Sequence, residues 1–155
     1  MMNRLKAVLL GTLVLLAGMA SAGEPTQKVV YHINGGDAAQ QSAALGNILN
    51  HLNAVGPENI EIKVVLHGDG VSLLLYPDAL AHTKMKTANA TDEMQPKIAG
   101  LKEKGVQFQV CGTTLKGRNV DAEKDLYDVK PGDVVPSGVA QIGTLQSQGY
   151  GYIKP

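Results

Sequence analysis

Tryptophan is absent from this 155-residue sequence and phenylalanine occurs once. Neither sign of charge dominates, with 14 Lys and Arg against 14 Asp and Glu. A chain with no basic excess and 4% aromatic residues lacks both the electrostatic footprint and the stacking surface of a nucleic-acid binder. Nucleic acid is therefore not an expected partner. Cys111 is the only cysteine, which excludes an internal disulfide and a CxxC redox pair. Gly35-Gly36-Asp37 lacks the Gly-Lys-Ser/Thr ending of a phosphate loop, and there is no Gly-x-Ser-x-Gly elbow. The length suits one domain with a real core and is too short for two.

The start of the chain reads as a secretory signal over residues 1–22. Arg4 and Lys6 provide a charged beginning, Ala7 to Gly18 an uncharged and largely apolar stretch of 12 residues, and Ala20-Ser21-Ala22 the small residues of a cleavage site. The apolar stretch is shorter than the roughly 20 residues a membrane span needs. Cleavage after Ala22 would leave residues 23–155 as a single domain outside the cytoplasm, with no membrane attachment; a bacterial-type signal places it in the periplasm. That mature part carries 12 basic against 14 acidic side chains once Arg4 and Lys6 are removed.

Beyond the leader, strand-like and helix-like segments alternate. Residues 28–34 form a short apolar run that ends in Gly35-Gly36-Asp37, a turn and a helix cap. Leu45, Ile48, Leu49, Leu52 and Val55 then recur at helical spacing until Gly56-Pro57 stops them. Residues 60–66 begin as an alternating strand and finish fully apolar, followed by His67-Gly68-Asp69-Gly70 and a helical turn over residues 71–76. Residues 78–95 are polar without a clean period and read as a loop or mobile helical segment, a candidate lid or oligomer contact. A helix with Pro96 at its first position runs to Lys104, and residues 106–110 alternate strictly as a strand. A short helix from Thr113, a strand at residues 133–136, a helix over 139–148 and a closing strand at 150–153 complete the pattern. Such alternation predicts a three-layer α/β/α sandwich with a mainly parallel sheet of about five strands.

In such a sheet ligands bind where the strands end. His32 and Asn34, His67-Gly68-Asp69-Gly70, Cys111-Gly112-Thr113-Thr114 and Ser137-Gly138 all fall at those ends. A thiol at a helix start meets free N–H groups and the positive end of the helix dipole, both of which favour the thiolate. Thr113 and Thr114 offer hydroxyls to sulfur or to an oxyanion, and Lys116 and Arg118 add positive charge. Gly68 and Gly70 could present N–H groups to an anion. The competing reading is an inert Cys111 buried as a small hydrophobe, with His32 and His67 structural and His51 and His82 on the surface. His32, His67 and Cys111 would hold a metal only if all three converged, and their spacing is no recognised ligand motif. No cofactor is expected.

Four segments in this order carry a resemblance: His67-Gly68-x-Gly70, Gly105-Val106-x-Phe108-x-Val110-Cys111-Gly112-Thr113-Thr114-Leu115, Val135-Pro136-Ser137-Gly138-Val139, and Gly149-Tyr150-x-Tyr152-Ile153-x-Pro155. Together they resemble the exported branch of the DsrE/DsrF/DsrH-like family. The resemblance implies a three-layer fold, assembly into homo- or hetero-oligomers, and a persulfide carried by the cysteine that ends the third strand, here Cys111. It implies a sulfur donor or acceptor protein as partner. The function expected is thus a periplasmic sulfur-handling protein, and the alternative is a non-catalytic oligomer that binds a small ligand or serves as structure.

Overall fold

The computed structural model describes residues 27–155, and the expected leader over residues 1–22 lies outside the described residues. Five strands form one parallel sheet: β1 (Gln27–Ile33), β2 (Ile60–Leu66), β3 (Gln107–Cys111), β4 (Val134–Val135) and β5 (Gly151–Ile153). Their order across the sheet is β4-β3-β2-β1-β5. β1 and β2 pair along their full length, from Gln27 opposite Ile60 to Ile33 opposite Leu66.

Strand alternation sorts the side chains into two cores of unequal size. Val29, Tyr31, Ile33, Ile62, Val64, Leu66, Phe108 and Val110 join the larger one. It is covered by α1 (Ala38–Val55) and α2 (Met94–Glu103), whose buried residues Leu45, Ile48, Leu52, Ile98 and Leu101 belong to the same cluster. Val30 and Val65 face the other way and pack with Ile142, Leu145 and Tyr150. That second layer is α5 (Gly138–Ser147), so helices cover both faces. The short helices α3 (Gly112–Arg118) and α4 (Ala122–Asp125) connect β3 to β4.

Local chemistry sets the boundaries. The Asp37 carboxylate accepts from the Gln40 N–H at 2.7 Å and opens α1, while Gly56 closes it at φ 89°, a conformation that glycine adopts without a Cβ penalty. Two expected boundaries shift. α2 begins at Met94, two residues before Pro96, because the first-turn N–H groups of a helix have no intrahelical partner and proline there sacrifices nothing. The turn after β2 begins at Gly68, as a 3-10 segment through Leu73, and is buried from Gly70 onward.

Residues 78–95 pack as an integral part of the larger core. Ala79 and Met85 are buried in it, Ala90 is buried beside Leu75, whose carbonyl its N–H binds, and Asn89 enters a polar cluster with Gln41 and Ser72. The Asn89 amide donates to Gln41 at 2.8 Å and to the Gly36 carbonyl at 3.0 Å, and the Gln41 amide donates to Ser72 at 2.9 Å and to the Gly35 carbonyl at 2.8 Å. Of the polar residues in this segment, Asn89 is the one that is buried, and it joins that network. The segment is thus tied to the start of α1 and to the turn after β2. No helix among the described residues is long and apolar enough to cross a membrane.

Candidate functional site

The carboxyl ends of β1, β2 and β3 converge on Cys111. It is the last residue of β3 and the residue that caps α3, with 5% of its surface exposed. Burial pushes the thiol upward, but donors from the Thr114 hydroxyl and from the N–H groups of Gly138, Thr114 and Thr113 more than offset it and hold the thiol below its ordinary value. Those donors come from two helix starts, α3 and α5, brought together because β4 places Val135 beside Cys111.

Thr114 has a second bond that aims it. The Gly68 N–H donates to its Oγ1 at 3.0 Å, which occupies an oxygen lone pair and leaves the hydroxyl hydrogen for the sulfur. Thr113 is oriented otherwise: its hydroxyl and its N–H both reach the Pro136 carbonyl, at 2.9 and 3.2 Å. Ser137 caps α5, its hydroxyl accepting from the Ala140 N–H at 3.3 Å. Thr113 therefore ties the start of α3 to the residue before the α5 cap, Ser137 caps α5 itself, and the Thr114 hydroxyl favours the thiolate.

Three glycines make room. A Cβ on Gly138 would stand 3.0 Å from the Cβ of His67 and 3.2 Å from that of Cys111, so the glycine is what lets those two residues approach. A Cβ on Gly112 would meet the Val135 carbonyl oxygen at 3.2 Å. A Cβ on Gly70 would run into the backbone carbonyl of Ile33. The loop's N–H groups are spent internally, Gly68 on Thr114 and Gly70 on the His67 carbonyl at 3.1 Å. Gly68 and Gly70 are thereby tied to α3 and to His67.

Arg118 and Lys116 are engaged elsewhere on α3. Seven residues of helix separate Cys111 from Arg118, about 10 Å at 1.5 Å per residue. Its guanidinium pairs with Asp69 at 3.0 Å and donates to the Lys84 carbonyl at 3.1 Å, tying the loop to α3. Lys116 faces a different depression, lined by His82 and Asp125. His51 bonds the Tyr31 hydroxyl at 2.9 Å, and His82 bonds Asp125 at 2.8 Å.

His32 and His67 are the residues whose relationship the sequence did not announce. Their Nε2 atoms stand 2.6 Å apart, and the Tyr152 hydroxyl lies 2.7 Å from Nδ1 of His32. The available signal was parity: both histidines sit at strand ends on the side of the sheet opposite to Ile33 and Leu66. Among the described residues no group of three or more His, Cys, Asp or Glu is disposed to hold a metal ion.

The model of the DsrE/DsrF-like family matches residues 27–155. The chain belongs to this family. Its fold is shared with a Methanobacterium thermoautotrophicum protein of unknown function, MTH1491, at 28% identity and a TM-score of 0.66, over 83% of this chain and 99% of that one. The YchN protein of E. coli is similar in fold at 18% identity and a TM-score of 0.59, over the same shares of the two chains. Comparison with curated proteins yields no match. Membership supports a sulfur-relay-type fold, and the chemistry has to be argued from the site.

Proposed function

We propose that this DsrE/DsrF-like protein carries sulfane sulfur as a persulfide on Cys111, outside the cytoplasm, receiving it from one thiol-bearing partner and passing it to another. The observation that carries this reading is the convergence of two helix starts and the Thr114 hydroxyl on Cys111, which together hold its thiol below the ordinary value. A structural cysteine in an apolar core has no need of them, whereas a nucleophile uses them to stay ionised.

The step balances without an external oxidant. The Cys111 thiolate attacks the outer sulfur of a persulfide R–S–SH; the new S–S bond forms at Cys111, the old S–S bond breaks, and R–S leaves with its electron pair. Delivery runs the same exchange in reverse toward an acceptor thiolate. Self-association and a donor or acceptor protein belong to this proposal as partners. The periplasmic placement rests on Arg4, Lys6, the apolar stretch and Ala20-Ser21-Ala22.

The test is intact-mass spectrometry of the mature chain exposed to a small-molecule persulfide. The expected gain is one sulfur atom per chain, lost in Cys111→Ser. The low exposure of Cys111 favours a second reading, an inert core thiol within a binding or structural module. That reading expects no sulfur uptake and no labelling until denaturant is added.

A further inference from the structure

The polar row to which Cys111 belongs extends across four strands. In the order β3-β2-β1-β5, alternation puts Cys111, His32 and Tyr152 on the α5 side of the sheet, Tyr152 lying opposite Val30. His67 follows β2 directly and keeps an extended backbone, φ −147° and ψ 168°, so the alternation carries it to the same side.

The two imidazoles meet in line. Their Nε2 atoms are 2.6 Å apart while the ring centroids are 4.7 Å apart and the planes differ by 20°. The difference between those distances is taken up by the two ring radii, so each Nε2 points at the other. Two lone pairs do not face each other at hydrogen-bond distance, so one nitrogen carries the hydrogen and the other accepts it. Nδ1 of His32 continues the chain to the Tyr152 hydroxyl, on a residue 42% exposed. At the other end His67 and Cys111 flank Gly138, whose missing Cβ would touch both.

We propose that His32 and His67 form a proton-sharing pair, connected to solvent through Tyr152, that handles protons for sulfur transfer at Cys111. This rests on reading Cys111 as the carrier. Cys111 ionises by passing its proton to the neutral pair, which becomes a monocation; when the donor R–S–SH gives up its outer sulfur, that proton goes to the departing R–S, which leaves as R–SH and returns the pair to neutrality. Where Cys111 has already ionised to solvent, the same proton returns to the pair by way of Tyr152, so loading involves no net proton and no redox change.

The surroundings suit that task. Lys154 faces the pair from the end of β5, Tyr152 from β5, Cys111 across Gly138, and Asp69 beyond Gly68 is held by Arg118. Burial lowers both imidazoles from their ordinary value; His32 is lowered further by His67 and then by Lys154, and His67 by Lys154. The resting pair is accordingly neutral near pH 7, with one hydrogen bridging the two Nε2 atoms, and is a base free to take the Cys111 proton and hand it to R–S.

The experiment compares two reactions of Cys111 in wild type, His32→Gln, His67→Gln and Tyr152→Phe across pH 5 to 9, with folding checked by thermal melts. Iodoacetamide releases iodide, which needs no proton; glutathione persulfide releases a thiolate, which does. The expected result is alkylation within about twofold of wild type, persulfide transfer slowed about tenfold in both histidine variants, and loss of the histidine inflection from the transfer profile. Tyr152→Phe, an exposed change, is expected to slow transfer less. Transfer at the wild-type rate and pH profile in both histidine variants overturns the proposal. So does an equal fall of both reactions, which makes the histidines mere walls of the pocket, or stoichiometric Zn2+ binding that disappears in the variants. Failure of wild type itself to take up sulfur sinks the carrier reading and the pair's role together, and so is distinct from success of wild type with indifferent variants.

Discussion

The backbone N–H of Gly68 donates to the Thr114 hydroxyl at 3.0 Å, across 46 residues of sequence. This bond fastens the end of β2 to the start of α3 and turns the Thr114 hydrogen toward Cys111. Thr114→Val keeps the shape and removes the donor. Native alkylation of Cys111 at pH 7 is expected to fall about tenfold, with the rise of the pH–rate curve displaced to higher pH, since a hydrogen bond to a charged group contributes roughly 1.5–3 kcal/mol. Thr113→Val, whose hydroxyl serves the Pro136 carbonyl, is expected to change the melting temperature more than the labelling curve.

Gly138→Ala places a methyl group against His67 and Cys111. Because the neighbours are Cβ atoms of framed residues, the site has to spread, with an expected cost of about 1–3 kcal/mol in urea titration and slower labelling of Cys111. Gly138 is also the residue whose N–H reaches the sulfur, so a shift of the α5 start weakens that donor too. Labelling and stability unchanged in this variant would show that the α5 start is not tight against the thiol.

Asn89 and Gln41 give a test far from the sulfur. Gln41→Leu leaves the amide of Asn89 and the hydroxyl of Ser72 short of partners inside the core. A loss of about 2–3 kcal/mol is expected, together with faster proteolytic cleavage within residues 78–95. Resistance to protease equal to wild type would mean that the segment is held by its apolar residues alone.

These results also locate what the sequence made legible. Alternation in residues 106–110 and helical spacing from Leu45 to Val55 identified the strands and α1, because each has one buried face and period alone reveals that. The shape of residues 78–95 was hidden, since Asn89 and Thr87 look like solvent-facing polar residues until the Gly36 carbonyl that both bind is brought from 50 residues away. The Cys111 surroundings were half legible. The helix start after β3 was visible, whereas the pairing of His32 with His67 depends on strand register, which no local pattern encodes. Arg118 stands at the last residue of α3, and its guanidinium is engaged by Asp69 and the Lys84 carbonyl.

Asp125 gives a pH prediction independent of the site. Burial pushes its carboxyl upward, and bonds from the Asp121 N–H and from His82, with the charges of His82 and Lys124, bring it below its ordinary value. A carboxyl depressed on folding stabilises the native state fully above its unfolded value, near pH 4, and loses that contribution as pH falls through the folded value. Asp125→Asn is expected to cost about 1–3 kcal/mol at pH 7. The gap between variant and wild type should narrow in urea titrations below pH 4, and a gap independent of pH would remove the charge from the explanation.

The most direct measurement of the central claim is the rate of Cys111 alkylation in the native mature protein as a function of pH, read by intact mass. A thiol held by Thr114 and Gly138 is expected to label without denaturant, with its midpoint below the ordinary value of about 8.5. A thiol that stays silent until the protein unfolds would contradict the account and make Cys111 a core residue.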